Sequence, residues 1–311
     1  MTVHDTLLSF GLIILSGIVF RRLRVGGLDA NDIRQAINAC VLNLFVPALC
    51  LRIFYDSMLD FEAVLVPIVS SVTILLTLAM AFLLYRLLER WFKISPAERA
   101  VLIIGSAFGN TTFLGLPVIS EVFGQGAARY VLYYDLFSTT PLLWLVAAQI
   151  ASVHGTGKGV RLTQSIRTIA LLPPIWGIAG GVALKAANVS LPAFVLKSLT
   201  MLGNLVVPLM IFSIGLAITL PKIKHAWAVV PAAIIKLAVG PVIAFEVAGG
   251  IGLKGVAMNS CIVEAAMPTM VVSLLIAARY NLDVTLCALL IVVTTAISFI
   301  TLPIVVSLIT G

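Results

Sequence analysis

The chain has 311 residues, 61% of them hydrophobic and 11% charged, with a net charge of +7 and a mean hydropathy of +1.15. Soluble domains carry about 25% charged residues, so the polar surface that a water-soluble fold requires is missing. The apolar runs are continuous rather than alternating, which excludes a β-barrel and leaves an all-α integral membrane protein.

A helix needs about 20 apolar residues to span the hydrocarbon. Reading apolar runs between polar breaks predicts ten transmembrane helices, at 6–24, 36–55, 62–88, 98–123, 128–151, 166–187, 193–220, 226–250, 254–279 and 283–310. The first run has no basic region before it and no small-residue cleavage site. It ends in Arg21, Arg22 and Arg24, so it reads as a retained helix rather than a signal peptide. Cys40, Cys50, Cys261 and Cys287 all fall in apolar runs, which fits small packing residues rather than metal ligands or disulfides.

The basic residues orient the segments. With the N-terminus outside, the cytoplasmic ends hold Arg21, Arg22, Arg24, Arg34, Arg86, Arg90, Lys93, Arg99, Lys158, Arg161, Arg167, Lys222, Lys224 and Arg279. The outer side keeps Arg52, Arg129, Lys185, Lys197 and Lys254, and Lys236 lies within a helix. This is a positive-inside bias, so the basic balance records topology in a plasma or inner membrane and not a nucleic-acid partner.

The two halves echo one another. Asn43-Leu44-Phe45-Val46-Pro47 recurs as Asn204-Leu205-Val206-Val207-Pro208, 161 residues later. Pro67 pairs with Pro231 at an offset of 164, Pro117 with Pro268 at 151, and Thr139-Thr140 with Thr294-Thr295. These matches divide the chain into a first repeat of five helices (1–151), a cytoplasmic linker (152–165) and a second repeat (166–311). An odd number of spans per half inverts the second repeat, an architecture that places a ligand near the midplane where the halves meet.

Helices four and nine carry the signs of interruption there. The fourth contains Gly105-Ser106-Ala107-Phe108-Gly109-Asn110-Thr111-Thr112-Phe113-Leu114-Gly115-Leu116-Pro117, and the ninth Asn259-Ser260-Cys261-Ile262-Val263-Glu264-Ala265-Ala266-Met267-Pro268-Thr269. Proline removes a backbone donor and glycine lets the chain leave helical geometry. A break in hydrocarbon must line a polar cavity or be covered by protein. Half-helix N-termini at such a site suit an anion, and the Asn110 amide can donate two hydrogen bonds to a carboxylate.

Glu264 stands near mid-span, where an ionised acid costs about 2.5–3.5 kcal/mol on insertion scales and is a functional candidate. Three roles fit it: a proton carrier, a sodium ligand, or a structural acid paired with Lys236. Lys236 needs a buried partner, for which Asp135 and Glu264 are the candidates. Asp135, behind Tyr133 and Tyr134, reads as an interfacial acid or as a gating and proton-carrying one. Asn43 and Asn204, each four residues before a proline, read as satisfying carbonyls released by a kink, and Arg52 as reaching to the headgroups.

Gly109-Asn110-Thr111-Thr112-Phe113-Leu114-Gly115-Leu116-Pro117 and Asn43-Leu44-Phe45-Val46-Pro47 resemble the auxin efflux carrier family, as do Val263-Glu264-Ala265-Ala266-Met267-Pro268 and Ala278-Arg279-Tyr280-Asn281. The resemblance covers essentially the whole chain. It implies ten helices in a crossover fold shared with bile-acid/sodium symporters. Helices 1, 2, 6 and 7 would form a scaffold that commonly dimerises, and helices 3–5 and 8–10 a moving, elevator-type transport domain. The implied substrates are small carboxylates such as auxin, malate or malonate, contacted by Asn110 with Gly109, Thr111, Thr112, Met267 and Thr269 around it, and with Pro117 and Pro268 marking the crossing breaks. Glu264 stands where an acid of the bile-acid symporter fold helps bind sodium, so sodium or proton coupling, with Asp135 and Lys236 as further participants, stays open. No other cofactor is implied. The short loop between helices five and six departs from plant members, which often carry a long regulatory one.

The chain has no His-Glu-x-x-His, Gly-x-Gly-Asp or P-loop pattern, and His4, His154 and His225 lie at membrane edges or in loops. An organic-anion carrier is therefore the leading expectation, ahead of a channel, a receptor or an intramembrane enzyme.

Overall fold

The computed structural model describes residues 3–23, 27–56, 61–91, 93–157, 159–217 and 226–310; Arg24, Lys158, Lys222, Lys224 and His225 lie outside them. Among the described residues the regular structure is helical, apart from one isolated β-bridge. In chain order the helices are α1 (Val3–Phe20), α2 (Ala30–Asp56), α3 (Glu62–Leu88), α4 (Pro96–Ala107), α5 (Thr111–Val122) and α6 (Gln125–Gly155). They continue as α7 (Leu162–Ala170), α8 (Pro173–Ala186), α9 (Ala193–Leu216), α10 (Val229–Gly250), α11 (Gly255–Ala265), α12 (Ser273–Arg279) and α13 (Val284–Thr310).

Six of these, α2, α3, α6, α9, α10 and α13, are long and apolar enough to cross a membrane, and α7 with α8 makes a seventh if the 56° bend between them belongs to one span. Most expected boundaries fall within a few residues of the helices, and the expected fourth, sixth and ninth segments are each two helices. α4 ends at Ala107 and α5 starts at Thr111; α11 ends at Ala265 and α12 starts at Ser273.

Local chemistry sets the ends. Asp29 caps α2 by accepting from Asn31 N at 2.8 Å and Asp32 N at 2.9 Å. Ser95 and Glu98 form a reciprocal capping box ahead of Pro96, the first residue of α4. α12 ends on Asn281 with φ +54°, and Leu282 N donates back to Ala277 O at 2.8 Å; asparagine tolerates this left-handed closure.

Two helix pairs form through glycine. α1 meets α9 at Gly17 and Gly215, where a Cβ on Gly17 would come within 2.9 Å of the Gly215 Cα. α8 meets α2 at Gly177 and Gly181, set against the backbone of Pro47 and Leu51. Small residues let helix backbones approach where no hydrophobic effect drives them together. Among the remaining helices, α3 packs on α4, α6, α10 and α11, and α13 on α4 and α11. One buried core joins α3, α6, α10, α11 and α13 to the glycine-mediated pairs. A buried group around Ile74, Leu102, Leu143, Ile235, Ile276 and Leu290 joins α3, α4, α6, α10, α12 and α13.

Asn43 Nδ2 donates to Ala39 O at 2.8 Å, beside a π turn at Val41–Phe45. It thus satisfies a carbonyl one turn ahead of the one that Pro47 frees. Arg52 pairs with Asp56 and donates from Nε to Thr200 Oγ1 at 3.3 Å, so it is held by protein as well as by its position.

Replacing Gly215 with leucine forces α1 and α9 apart and should cost about 1–3 kcal/mol. The same change at Gly249, which has open space around it, should be nearly neutral. Thermal unfolding in detergent checks this, and equal midpoints for the two variants would remove the close approach as a stabilising contact.

Candidate functional site

The two interruptions meet. Gly109 and Thr269 form an antiparallel bridge, flanked by two reciprocal hydrogen bonds. Asn110 N donates to Pro268 O at 2.7 Å and Met270 N to Phe108 O at 2.9 Å. Each break thereby satisfies backbone groups that the other releases, as a water-free interior requires. Thr269 ties the crossing to its neighbours: its N–H donates to Thr294 Oγ1 at 3.1 Å and its hydroxyl to Gly105 O at 2.8 Å.

The first break is set at Phe108–Asn110 rather than at Pro117. That proline lies inside the helix that restarts at Thr111, after a π turn over Thr111–Gly115 in which Leu116 N reaches back to Thr111 O. The wider turn gives the pyrrolidine ring room, so Pro117 is accommodated without an interruption. Pro268 does lie in the second break.

Gly109, Asn110, Thr111, Thr112, Met267, Pro268 and Thr269 are all buried. Asn110 precedes α5 in non-helical geometry (φ −82°, ψ +61°), and its Oδ1 is buried with no hydrogen-bond partner. Buried polar atoms are seldom left this way in folded proteins, so each calls for an explanation.

Asp135 lies inside the protein. It is 5% exposed, and it accepts from Thr111 Oγ1 at 2.9 Å, from Thr112 Oγ1, and from Thr140 Oγ1 at 3.4 Å. A π turn at Asp135–Thr139 shifts the register of α6 and turns the carboxylate inward. Tyr133 and Tyr134 are buried with it, Tyr133 edge-on to Phe54 at 5.7 Å, so they are packing groups and not headgroup anchors.

Lys236 sits on a further π turn, Ile235–Val239 of α10, and is 3% exposed. It was expected to pair with Asp135 or Glu264. Its ammonium donates instead to Ala265 O at 2.6 Å, the last residue of α11. A half-helix C-terminus carries about −0.5 charge, which makes it a competent partner for a cation. No hydrogen bond joins Lys236 to Glu264, although the two lie within Coulombic reach of each other.

Glu264 is 1% exposed, and neither of its carboxylate oxygens has a hydrogen-bond partner. The carboxylate lies against Gly115, where a Cβ would collide with Oε1, Oε2 and Cδ. Gly115, Thr294 and Thr140 complete the centre. Their sequence signal was present, a glycine and hydroxyls within apolar runs, but only the folded chain selects them from many similar residues.

A cleft leads toward the crossing. A cavity of about 400 Å³ between α1, α9, α12 and α13 is lined by Ile14, Ile214, Leu274, Ile291 and Thr295, and it touches the second break at Val271. It shares Leu274 and Ala288 with an outer cavity of about 470 Å³ that carries Arg21, Arg34 and Asn31.

A family model described as membrane transport protein matches residues 10–157 and 158–306. The chain belongs to the auxin efflux carrier family. It is 30% identical over 232 residues to an uncharacterised transporter of Methanocaldococcus jannaschii, covering 73% of this chain and 74% of that one. It is 25% identical over 308 residues to an uncharacterised transporter of Methanothermobacter thermautotrophicus, 96% of each chain. Auxin efflux carrier component 1 of Arabidopsis thaliana is 29% identical over 114 residues, 34% of this chain and 18% of the plant protein. This family member is a membrane transporter and not an enzyme.

Gly115→Ala should destabilise the fold by about 1–3 kcal/mol through its clash with Glu264. In a double-mutant cycle with Glu264→Ala the two losses should fall short of additivity. Strict additivity in thermal or denaturant unfolding would separate the two residues.

Proposed function

We propose that the chain carries a small organic carboxylate across the cell membrane by alternating access, with the crossing of α4/α5 and α11/α12 as the translocation site. The observation that carries this reading is the reciprocal backbone pairing of the two breaks beside the buried side chain of Asn110, whose amide Nδ2 can donate to a carboxylate. α5 starts at Thr111 and directs its positive N-terminal end at the same place. The Asn110 amide and the free N–H groups of that turn suit a carboxylate, and the substrate class extends to auxin-like, malate-like and malonate-like acids.

The reading takes the helices as ten spans in two inverted repeats, α1–α6 and α7–α13, with the N-terminus outside. Packing supports it, since α1 on α9 and α8 on α2 are equivalent pairs under such a two-fold. An axis through the Gly109–Thr269 bridge relates residues 160 apart, close to the 161 that separates Asn43 from Asn204. Pro117 and Pro268, at 151, are then not equivalents. The scaffold comprises α1, α2, α7, α8 and α9, which offers the surface for a homodimer, and the other helices move. Arg21 and Arg34 at the mouth of the cleft would then face the cytoplasm and attract anions. Glu264 is the coupling group, taking up a proton or cation during the cycle, because an ionised carboxylate without a partner is costly in such a setting.

Asn110→Ala should weaken substrate affinity about tenfold, the worth of one or two charge-assisted hydrogen bonds, while expression stays near that of the parent. Counterflow of labelled malonate, malate and indole-3-acetate in proteoliposomes measures this. No exchange of any carboxylate by the parent protein, or unchanged affinity in the variant, would sink the assignment.

A further inference from the structure

Lys236 does more than find a partner for its charge. Its Nζ bonds Ala265 O, at the end of α11. It also reaches the other break, because a Cβ on Gly109 would stand 3.0 Å from Lys236 Cε and 3.2 Å from Nζ. Gly109 lies two residues beyond the end of α4 at Ala107. The ammonium therefore holds the C-terminus of α11, which carries about −0.5 charge, while its stem lies against the glycine of the first break.

In transporters with broken helices, half-helix C-termini and unwound carbonyls are the ligands that coordinate a sodium ion. Here the last carbonyl of α11 is met by an ammonium, a compact point charge with three donors, delivered on a stem from α10. The neighbouring carboxylate, Glu264, is buried without a partner and does not take the ammonium for itself. Negative ligands that a mobile cation would use are thus present, and the cation is covalently attached to the protein.

We propose that Lys236 is a tethered cation that takes the place of a sodium ion where the C-terminus of α11 meets the first break, so that the carrier works without sodium. The proposal rests on the reading of the crossing as the translocation site, and it narrows the coupling choice at Glu264 by removing sodium from it. It also makes Lys236 the residue that sets ion specificity: its removal should convert a sodium-indifferent protein into a sodium-binding one.

The test is thermal unfolding of the full-length protein in detergent, in sodium chloride against choline chloride at equal ionic strength. The parent protein should unfold at the same temperature in both. Lys236→Gln and Lys236→Ala should unfold earlier in choline chloride and recover by about 4 °C or more as sodium is added, along a saturating curve. A parent protein stabilised by sodium over choline overturns the proposal. So do variants that are folded but indifferent to sodium, or that cannot be recovered in either salt, since sodium then fails to replace the ammonium. Malonate counterflow by the parent protein in choline and in sodium chloride is run alongside. Equal exchange in both is expected, exchange that needs sodium overturns the proposal, and loss of exchange in both overturns the carboxylate reading on which it rests.

Discussion

The two hydrogen bonds between Asn110 and Pro268 and between Met270 and Phe108 are the constraint on which the centre of this molecule depends. A backbone interruption inside hydrocarbon leaves donors and acceptors that water cannot reach, at several kcal/mol each. One break alone would need a polar pocket of its own. Two breaks laid antiparallel satisfy each other, and the Gly109–Thr269 bridge is the result. A Cβ at position 109 would crowd the end of the Lys236 side chain, 3.0 Å from Cε, so the glycine lets that stem lie close against the break.

Charge follows from this geometry. Each break exposes one helix C-terminus and one N-terminus, so the crossing is polarised before any side chain is counted. Lys236 occupies the negative side, and three threonine hydroxyls hold Asp135 close by. Glu264 is left within Coulombic reach of both, bonded to neither. A buried group with that much unmet demand is the kind of feature that stability alone does not explain, which is why the proposed reading gives Glu264 the coupling role.

Much of this was legible in the sequence, for physical reasons. Hydropathy located the helices because lipid leaves few other options, and the density of glycine and polar residues at 105–112 and 259–269 located both breaks. Asn110 and Glu264 stood out because amide and acid groups are costly at mid-span. Hydrogen-bond partners were not legible. The three π turns that aim Thr111, Asp135 and Lys236 inward each insert one residue into a helix, a shift that leaves composition and periodicity almost unchanged. The exact role of a proline was also hidden: Pro117 and Pro268 have similar flanks, yet only Pro268 sits in a break, because a π turn absorbs the other.

The same constraint limits how the molecule can move on the proposed reading. Pulling α4/α5 away from α11/α12 would expose four backbone groups at once and break the Thr269 hydroxyl bond to Gly105 O. The crossing therefore has to travel as one body, and access must change at another surface. Such a surface exists where α1 and α9 face α12 and α13 across Ile14, Ile214, Leu274 and Ile291. These contacts are apolar and lack directional bonds, so one arrangement can be exchanged for another at little cost. The α1–α9 and α2–α8 pairs are locked by glycine-mediated backbone contact, which keeps the stationary side rigid. Strong polar bonds inside the moving unit and weak apolar contacts at its edge are what a rigid-body carrier requires.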